Sequence, residues 1–284
     1  MKNKTRKIFL RILFVVGIFC CAYPLGASIY EGYIQRNVIS TYSSEVDHSD
    51  ETKRQEILKD ARAYNDKLWQ SQGGLVGDVD IEFYSDANYK KQLKFGNSDV
   101  MAQIEIPKIN VDLPIYHGTD EETLKIGVGH LQNSSLPVGG ENTRSILTGH
   151  RGLPNSKLFT RLDELNKGDL FYITTAGEKL AYKINDITVI EPTDVGMLDT
   201  VPGKDQVSLV TCTPYGLNTH RLVVTGERVP YNELERDSIT SGGMSLREII
   251  FALLPFIFLA LGLGHYVTDF VKKHKRKEKG DAGE

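Results

Sequence analysis

Cysteine is nearly absent from this chain: 3 in 284 residues, and two of them, Cys20 and Cys21, lie inside an N-terminal apolar run. Cys212 stands alone in the remainder, which excludes a disulfide framework there. Also missing are an internal repeat, a low-complexity linker and any grouping of Cys, His and carboxylates at metal-ligand spacing. His117 and His130 have no such ligands around them, Asp194 and Asp199 read as a solvated loop face, and neither a metal nor a cofactor is expected. Positive charge is short in the middle of the chain. Between 30 and 248, 23 Lys and Arg stand against 33 Asp and Glu, a net of about −10. So acidic a segment argues against nucleic-acid binding, which depends on neutralising phosphates.

What is present divides the chain by polarity. Ile12 to Ile29 is eighteen residues without a charge, about long enough to cross a bilayer. Ile249 to Val267 is apolar except for His265, and "KKHKRKEK" follows from Lys272. Lys and Arg cluster outside both runs, so the positive-inside rule puts both tips in the cytoplasm and the middle segment across the membrane. The N-terminal run fits a retained signal anchor, or a signal peptide cleaved near "PLGAS"; retention is the expectation, and either exports the middle segment.

From Glu45 to Gln70 the spacing of Ile57, Ala61, Tyr64 and Leu68 predicts one amphipathic helix, closed by "SQGG". Residues 72 to 88 are polar and turn-rich and read as a loop. After Val100 the texture is short and β-rich: "MAQIEIPKI", "VDLPIYHG", "RSILTGH", "DLFYITT", "KLAYKINDITVIEP", "QVSLVTCTP" and "HRLVVTGERVP". Pro107 suggests an edge or a strand break, and "TTAGEKL" joins a hairpin over 169–191. Seven or eight such strands with few helices predict a closed barrel or a sandwich.

Cys212 ends an apolar, β-branched run, and "TPYGLNT" supplies turn chemistry before the next strand begins near Arg221. That order brings Arg221 close to the thiol. A nucleophilic cysteine needs an imidazole or other cation nearby, and acyl transfer needs donors for the oxyanion, which a guanidinium supplies. His220 adjoins Arg221, but neighbours on a strand face opposite ways. His150, at the end of a β-rich run, is the better partner, with His117 and His130 as further loop histidines.

"LVTCTPYGLNTHR" resembles the sortase signature, in which Thr-Leu-x-Thr-Cys closes one barrel strand and an arginine opens the next; Ser208 replaces the first threonine. "LTGHRGLPNSKLF" resembles the sortase histidine segment, and "IPKINVDLPIYHGTDEETLKIGVGHLQNSSLPVGG" its early strands. The likeness runs from about Tyr89 to Val229. With the preceding helix and the C-terminal apolar run, it points to the class C, pilin-polymerising, sortases of Gram-positive bacteria. The resemblance implies an eight-stranded β-barrel, Cys212 as nucleophile, His150 as general acid/base, and Arg221 as oxyanion or substrate stabiliser. It also implies an LPXTG-like sorting signal cut at Thr–Gly, and pilin subunits as partners. Rival readings are a wall-anchoring sortase, a cysteine peptidase or amidase, and an inactive membrane-tethered binding module. Class C sortases carry a lid with an Asp-Pro-aromatic anchor; here Asp78 and Asp86 lack the proline. Phe83 and Tyr84 are the remaining lid candidates, so the site is expected to be open or loosely covered. The expected division is 1–29 tip and membrane segment, 30–99 helical region and lid-like loop, and 100–232 barrel. Residues 233–248 then form a linker, 249–268 a transmembrane helix and 269–284 a basic tail.

Overall fold

A computed structural model describes residues 2–72, 82–96, 98–153, 156–243 and 245–281. The chain forms two compact units, one of residues 1–29 with 244–284 and the other of residues 30–243. The first holds the apolar part of helix α1 (Lys2–Asp47) and helix α6 (Leu246–Asp281). The stretches Ile12–Asp47 and Glu248–Thr268 are long and apolar enough to cross a membrane.

The second unit is a closed barrel of eight strands: β1 (Val100–Ile106), β2 (Val111–His117), β3 (Val128–His130), β4 (Thr143–Thr148), β5 (Leu170–Thr175), β6 (Glu178–Ile190), β7 (Asp205–Thr213) and β8 (His220–Val229). Around the barrel they run β1-β2-β3-β4-β7-β8-β6-β5. Two neighbouring pairs, β2 with β3 and β4 with β7, are parallel; the others are antiparallel. Closure removes sheet edges, and alternate residues fill the inside: Ile104, Ile115, Leu147, Phe171, Leu209 and Val224 are fully buried. Gly226 has to be glycine here, because a Cβ would stand 2.5 Å from the Phe171 ring. Pro107 breaks the chain after β1 into a short 3-10 turn rather than marking an edge, since β1 lies between β2 and β5. The hairpin over 169–191 forms as β5 and β6.

The helix expected over 45–70 is two helices. α1 ends at Asp47 and α2 spans Glu51–Gln72. His48 Nδ1 lies 2.6 Å from the Ser44 carbonyl, which also accepts from the His48 N–H, and Ser49 Oγ donates to the Glu45 carbonyl, so side chains bond back onto the last turn where the helix ends. The buried stripe of α2 is Leu58, Ala61, Tyr64 and Leu68, with Ile57 partly covered. Within it Asn65 makes a two-way bond to the barrel: Nδ2 donates to the Leu136 carbonyl at 3.0 Å, and Oδ1 accepts from its N–H at 2.7 Å. On α1, the Tyr42 hydroxyl donates to the Met101 carbonyl on β1 and accepts from the Ala176 N–H in the β5–β6 turn. Residues 86–91, inside or beside the expected loop, form a short helix, α3 (Asp86–Lys91), capped by Ser85. Two further short helices are α4 (Glu121–Ile126) and α5 (Glu233–Ser238).

Candidate active site

The parallel β4–β7 pair decides which residues meet. Thr148 is opposite Val210, and the pairing continues past the end of β4: Gly149 N–H donates to the Val210 carbonyl at 3.1 Å, and Thr211 Oγ1 donates to the Gly149 carbonyl at 2.7 Å. His150 is therefore two residues beyond Thr148, as Cys212 is two beyond Val210. Both leave the barrel at the same rim, although 62 residues separate them in sequence. An antiparallel pairing would have sent them to opposite ends. On the other side of β7, Cys212 is directly opposite Arg221 of β8. Cys212, His150 and Arg221 are each partly exposed.

Strand alternation sets the face. Leu209, Leu222 and Val224 belong to the interior cluster, so Val210, Cys212, Arg221 and Val223 lie on the outer face. There Ile146, Ile190, Val210 and Val223 form a second apolar cluster, partly covered by Leu131 and by Leu198 of the β6–β7 connection. That connection is pinned by the buried Arg144, whose Nη1 donates to the Met197 and Asp199 carbonyls at 2.9 and 3.0 Å. Nε donates to Ser208 Oγ and Nη2 to Thr225 Oγ1. Burial pushes the Arg144 guanidinium below its usual range. Beside the thiol the outer face thus carries a small buried apolar cluster, with Arg221 opposite Ile190 in register.

Arg221 Nη1 donates to the Asn218 and His220 carbonyls of its own loop; among the described residues Nε and Nη2 have no protein hydrogen bond. His220 turns the other way, 3.1 Å from Glu191 and bonded to Thr219. The alternation argument that removed it from the site therefore agrees with its position. His117 and His130 are not loop residues. The first ends β2, and the second lies in β3, a strand too short and glycine-flanked to show in the sequence. His130 is fully buried, with Nε2 donating to the Ser135 carbonyl and Nδ1 accepting from Tyr89. Burial lowers the pKa of both rings, that of His130 to about 4.

Of the lid candidates, Asp78 lies outside the described residues. Phe83 is buried against the Tyr64 ring at 4.8 Å, and the Tyr84 hydroxyl bonds to Ser71, so both face α2. Asp86 opens α3 and pairs with Lys90 at 2.9 Å. No group of three or more metal-ligating residues occurs among the described residues. One residue at the rim escaped the sequence reading: Arg151, whose Nη1 donates to Thr213 Oγ1 at 3.0 Å and whose Nη2 is 2.5 Å from Asp163. Its only signal was its place directly after His150.

A family profile described as the sortase domain matches residues 104–229. Sortase D of Bacillus subtilis is 32% identical over 181 residues, covering 63% of this chain and 85% of that protein. The chain belongs to the sortase family. Its members are cysteine transpeptidases, and this sortase is an enzyme of that kind. Among solved structures, sortase C1 of pilus island 1 of group B Streptococcus (GBS) has 42% identity and a TM-score of 0.63, covering 70% of this chain and 94% of that one. Sortase C-1 from Actinomyces oris has 46% identity and a TM-score of 0.55, covering 63% and 99%. These neighbours are class C enzymes, and they share the closed eight-stranded barrel of this sortase.

Proposed function

We propose that this sortase polymerises pilin subunits, with Cys212 as nucleophile, His150 as general acid/base and Arg221 as the oxyanion or substrate donor. The observation that carries the reading is the placement of these three residues at one rim by the parallel β4–β7 pair and the Cys212–Arg221 register. The class C neighbours at 42–46% identity support the pilin assignment within the family. The buried apolar cluster of Ile146, Ile190, Val210 and Val223, under Leu131 and Leu198, lies on the same outer face as the thiol, the face over which an LPXTG-like signal would lie.

The Cys212 sulfur, as thiolate, attacks the Thr carbonyl carbon of the Thr–Gly bond. The carbonyl oxygen becomes an oxyanion, which the Arg221 guanidinium stabilises. Collapse breaks the C–N bond, and His150 delivers a proton to the departing glycine amine. A lysine amine of another pilin subunit then attacks the thioester carbonyl, loses a proton to the imidazole and expels the thiolate. One peptide bond is exchanged for one isopeptide bond with no net water consumed. The catalytic unit works on the outer face of the membrane, consistent with the basic residues flanking both apolar runs. An open or loosely covered site belongs to this reading, supported by the engagement of Phe83 and Tyr84 on α2. Thiol labelling of Cys212 that is slow, and accelerated by deleting 75–86, would overturn that openness.

Mixing the sortase with a pilin that carries an LPXTG-like signal tests the assignment. A high-mass ladder is expected, and it vanishes with Cys212→Ala. A single attached product instead of a ladder supports wall anchoring, and release to water alone supports a peptidase. Polymer made by Cys212→Ala removes the assigned nucleophile.

A further inference from the structure

We propose that Arg151 is a positioning residue for the His150–Cys212 pair, acting through Thr213 with Asp163 as its counter-ion. The inference rests on the roles given above to Cys212 and His150. Its basis is a matched pair of bonds around the two side chains. The residue before His150 is tied to the residue before Cys212, through Thr211 Oγ1 and the Gly149 carbonyl at 2.7 Å. The residue after His150 is tied to the residue after Cys212, through Arg151 Nη1 and Thr213 Oγ1 at 3.0 Å. The imidazole and the thiol are thus each held between the two fastenings. Neither His150 nor Cys212 has a side-chain hydrogen bond of its own among the described residues, so these fastenings set their approach.

The Arg151 fork is suited to this task. Its side chain is only 4% exposed, and two different nitrogens go to two different partners, Nη1 to Thr213 and Nη2 to Asp163. A planar guanidinium bonded at both tips has one orientation, which a lysine's single ammonium does not reproduce. Asp163 neutralises the buried charge, as a desolvated cation requires. That pairing also separates Arg151 from Arg221: one is balanced inside the fold, the other stands at the open rim.

The surrounding segment is built to the same end. Phe159 N–H donates to the His150 carbonyl at 3.1 Å, and Gly152 N–H donates to Thr160 Oγ1 at 3.1 Å. Gly152 has φ +82°, and a Cβ there would stand 3.1 Å from the Tyr215 ring. That ring, beyond Thr213 in the β7–β8 loop, has the Arg151 guanidinium 5.8 Å from its centre. The loops that follow the base and the nucleophile therefore meet across Arg151.

The test uses the full chain in detergent, with an LPXTG-type peptide and an added amine. It compares Thr213→Val, Thr213→Ser, Arg151→Lys and the Val/Lys double variant. Thr213→Val and Arg151→Lys are expected to lower kcat about 10- to 100-fold, the scale on which a small misplacement of reacting groups acts. KM stays within about twofold, because neither substitution touches the apolar cluster beside the thiol. The double variant falls no further than the worse single one, since both cut the same link. Thr213→Ser keeps the acceptor hydroxyl and restores kcat to within about threefold of the native chain on the same reasoning. Alkylation of Cys212 by iodoacetamide, followed by mass, slows in Thr213→Val without needing any peptide.

Unchanged kcat in both single variants overturns the proposal, as does a loss carried by KM, or a double variant in which the two losses multiply. Failure of Thr213→Ser to restore turnover while it remains folded also overturns it. If Arg151→Lys does not fold, the Val and Ser variants of Thr213 decide alone. A native chain that turns over no LPXTG-type peptide, while Thr213→Val still slows alkylation, removes the sorting-signal reading and leaves the positioning role standing.

Discussion

His130 should make the barrel lose stability on mild acidification, in a pH window of its own. The ring is fully buried, with Nε2 2.9 Å from the Ser135 carbonyl and Nδ1 2.9 Å from the Tyr89 hydroxyl. Burial lowers its pKa from 6.5 to about 4, and the nearby His117 acts in the same direction. Between those values the unfolded chain binds a proton that the native chain refuses. Stability present above pH 6.5 is therefore lost as pH falls towards 4, and no more is lost below that. A gap of about 2.5 units, at about 1.4 kcal/mol each, amounts to roughly 3 kcal/mol. His117, also lowered by burial, adds to the slope, whereas Asp205, raised by burial, opposes it. Glu51, Asp120, Glu121 and Asp186 are held below the usual carboxylate range, so their contributions are lost only at more acidic pH. The assay is urea unfolding from pH 7.5 to 4.5, followed by circular dichroism and by the single Trp69. His130→Gln lowers absolute stability but flattens the slope. Equal slopes in the native chain and His130→Gln would refute the reasoning.

Three other perturbations follow from the geometry. Gly149→Ala puts a Cβ 2.7 Å from the Phe159 ring, and such overpacking should cost about 1–3 kcal/mol; an unchanged melting temperature contradicts it. His220→Ala removes the exposed pair with Glu191 and the exposed bond to Thr219; stability should stay within about 0.5 kcal/mol and turnover near native, and a catalytic loss would return His220 to the site. Arg144→Met frees the β6–β7 connection from its two carbonyl contacts. It should destabilise by about 2 kcal/mol and raise KM for the peptide, and a native KM would show that this connection does not contribute to peptide binding.

Much of this was legible in the sequence because the signals are local. Strand runs such as "QVSLVTCTP" carry their own alternation, and the turn after Cys212 carries its proline and glycine. The alternation rule alone separated Arg221 from His220, and the structure turns His220 towards Glu191. What escaped is set by contacts distant in sequence or by single polar groups. β3 has three residues and a glycine, too few for a period. The break after Asp47 depends on His48 and Ser49 bonding backwards, which no apolar stripe records. The partners of Phe83 and Tyr84, Tyr64 and Ser71 on α2, had no local signal either. Nothing local announced that β4 and β7 pair in parallel, which is what brings His150 to Cys212; only the family resemblance supplied that meeting.

The Tyr42 hydroxyl has a mechanical meaning. β1 and β5 close the barrel through only three paired residues, Gln103 to Glu105 with Thr174 to Tyr172. Tyr42 reaches from α1 to the Met101 carbonyl on one side of that seam and to the Ala176 amide on the other. The helix acts as a latch across that join. Amide exchange along β1 and β5 then reports on α1 rather than on the strands themselves. A barrel deprived of residues up to Tyr42 would lose Ile39 and Tyr42 from its buried residues and, with them, both bonds across that join.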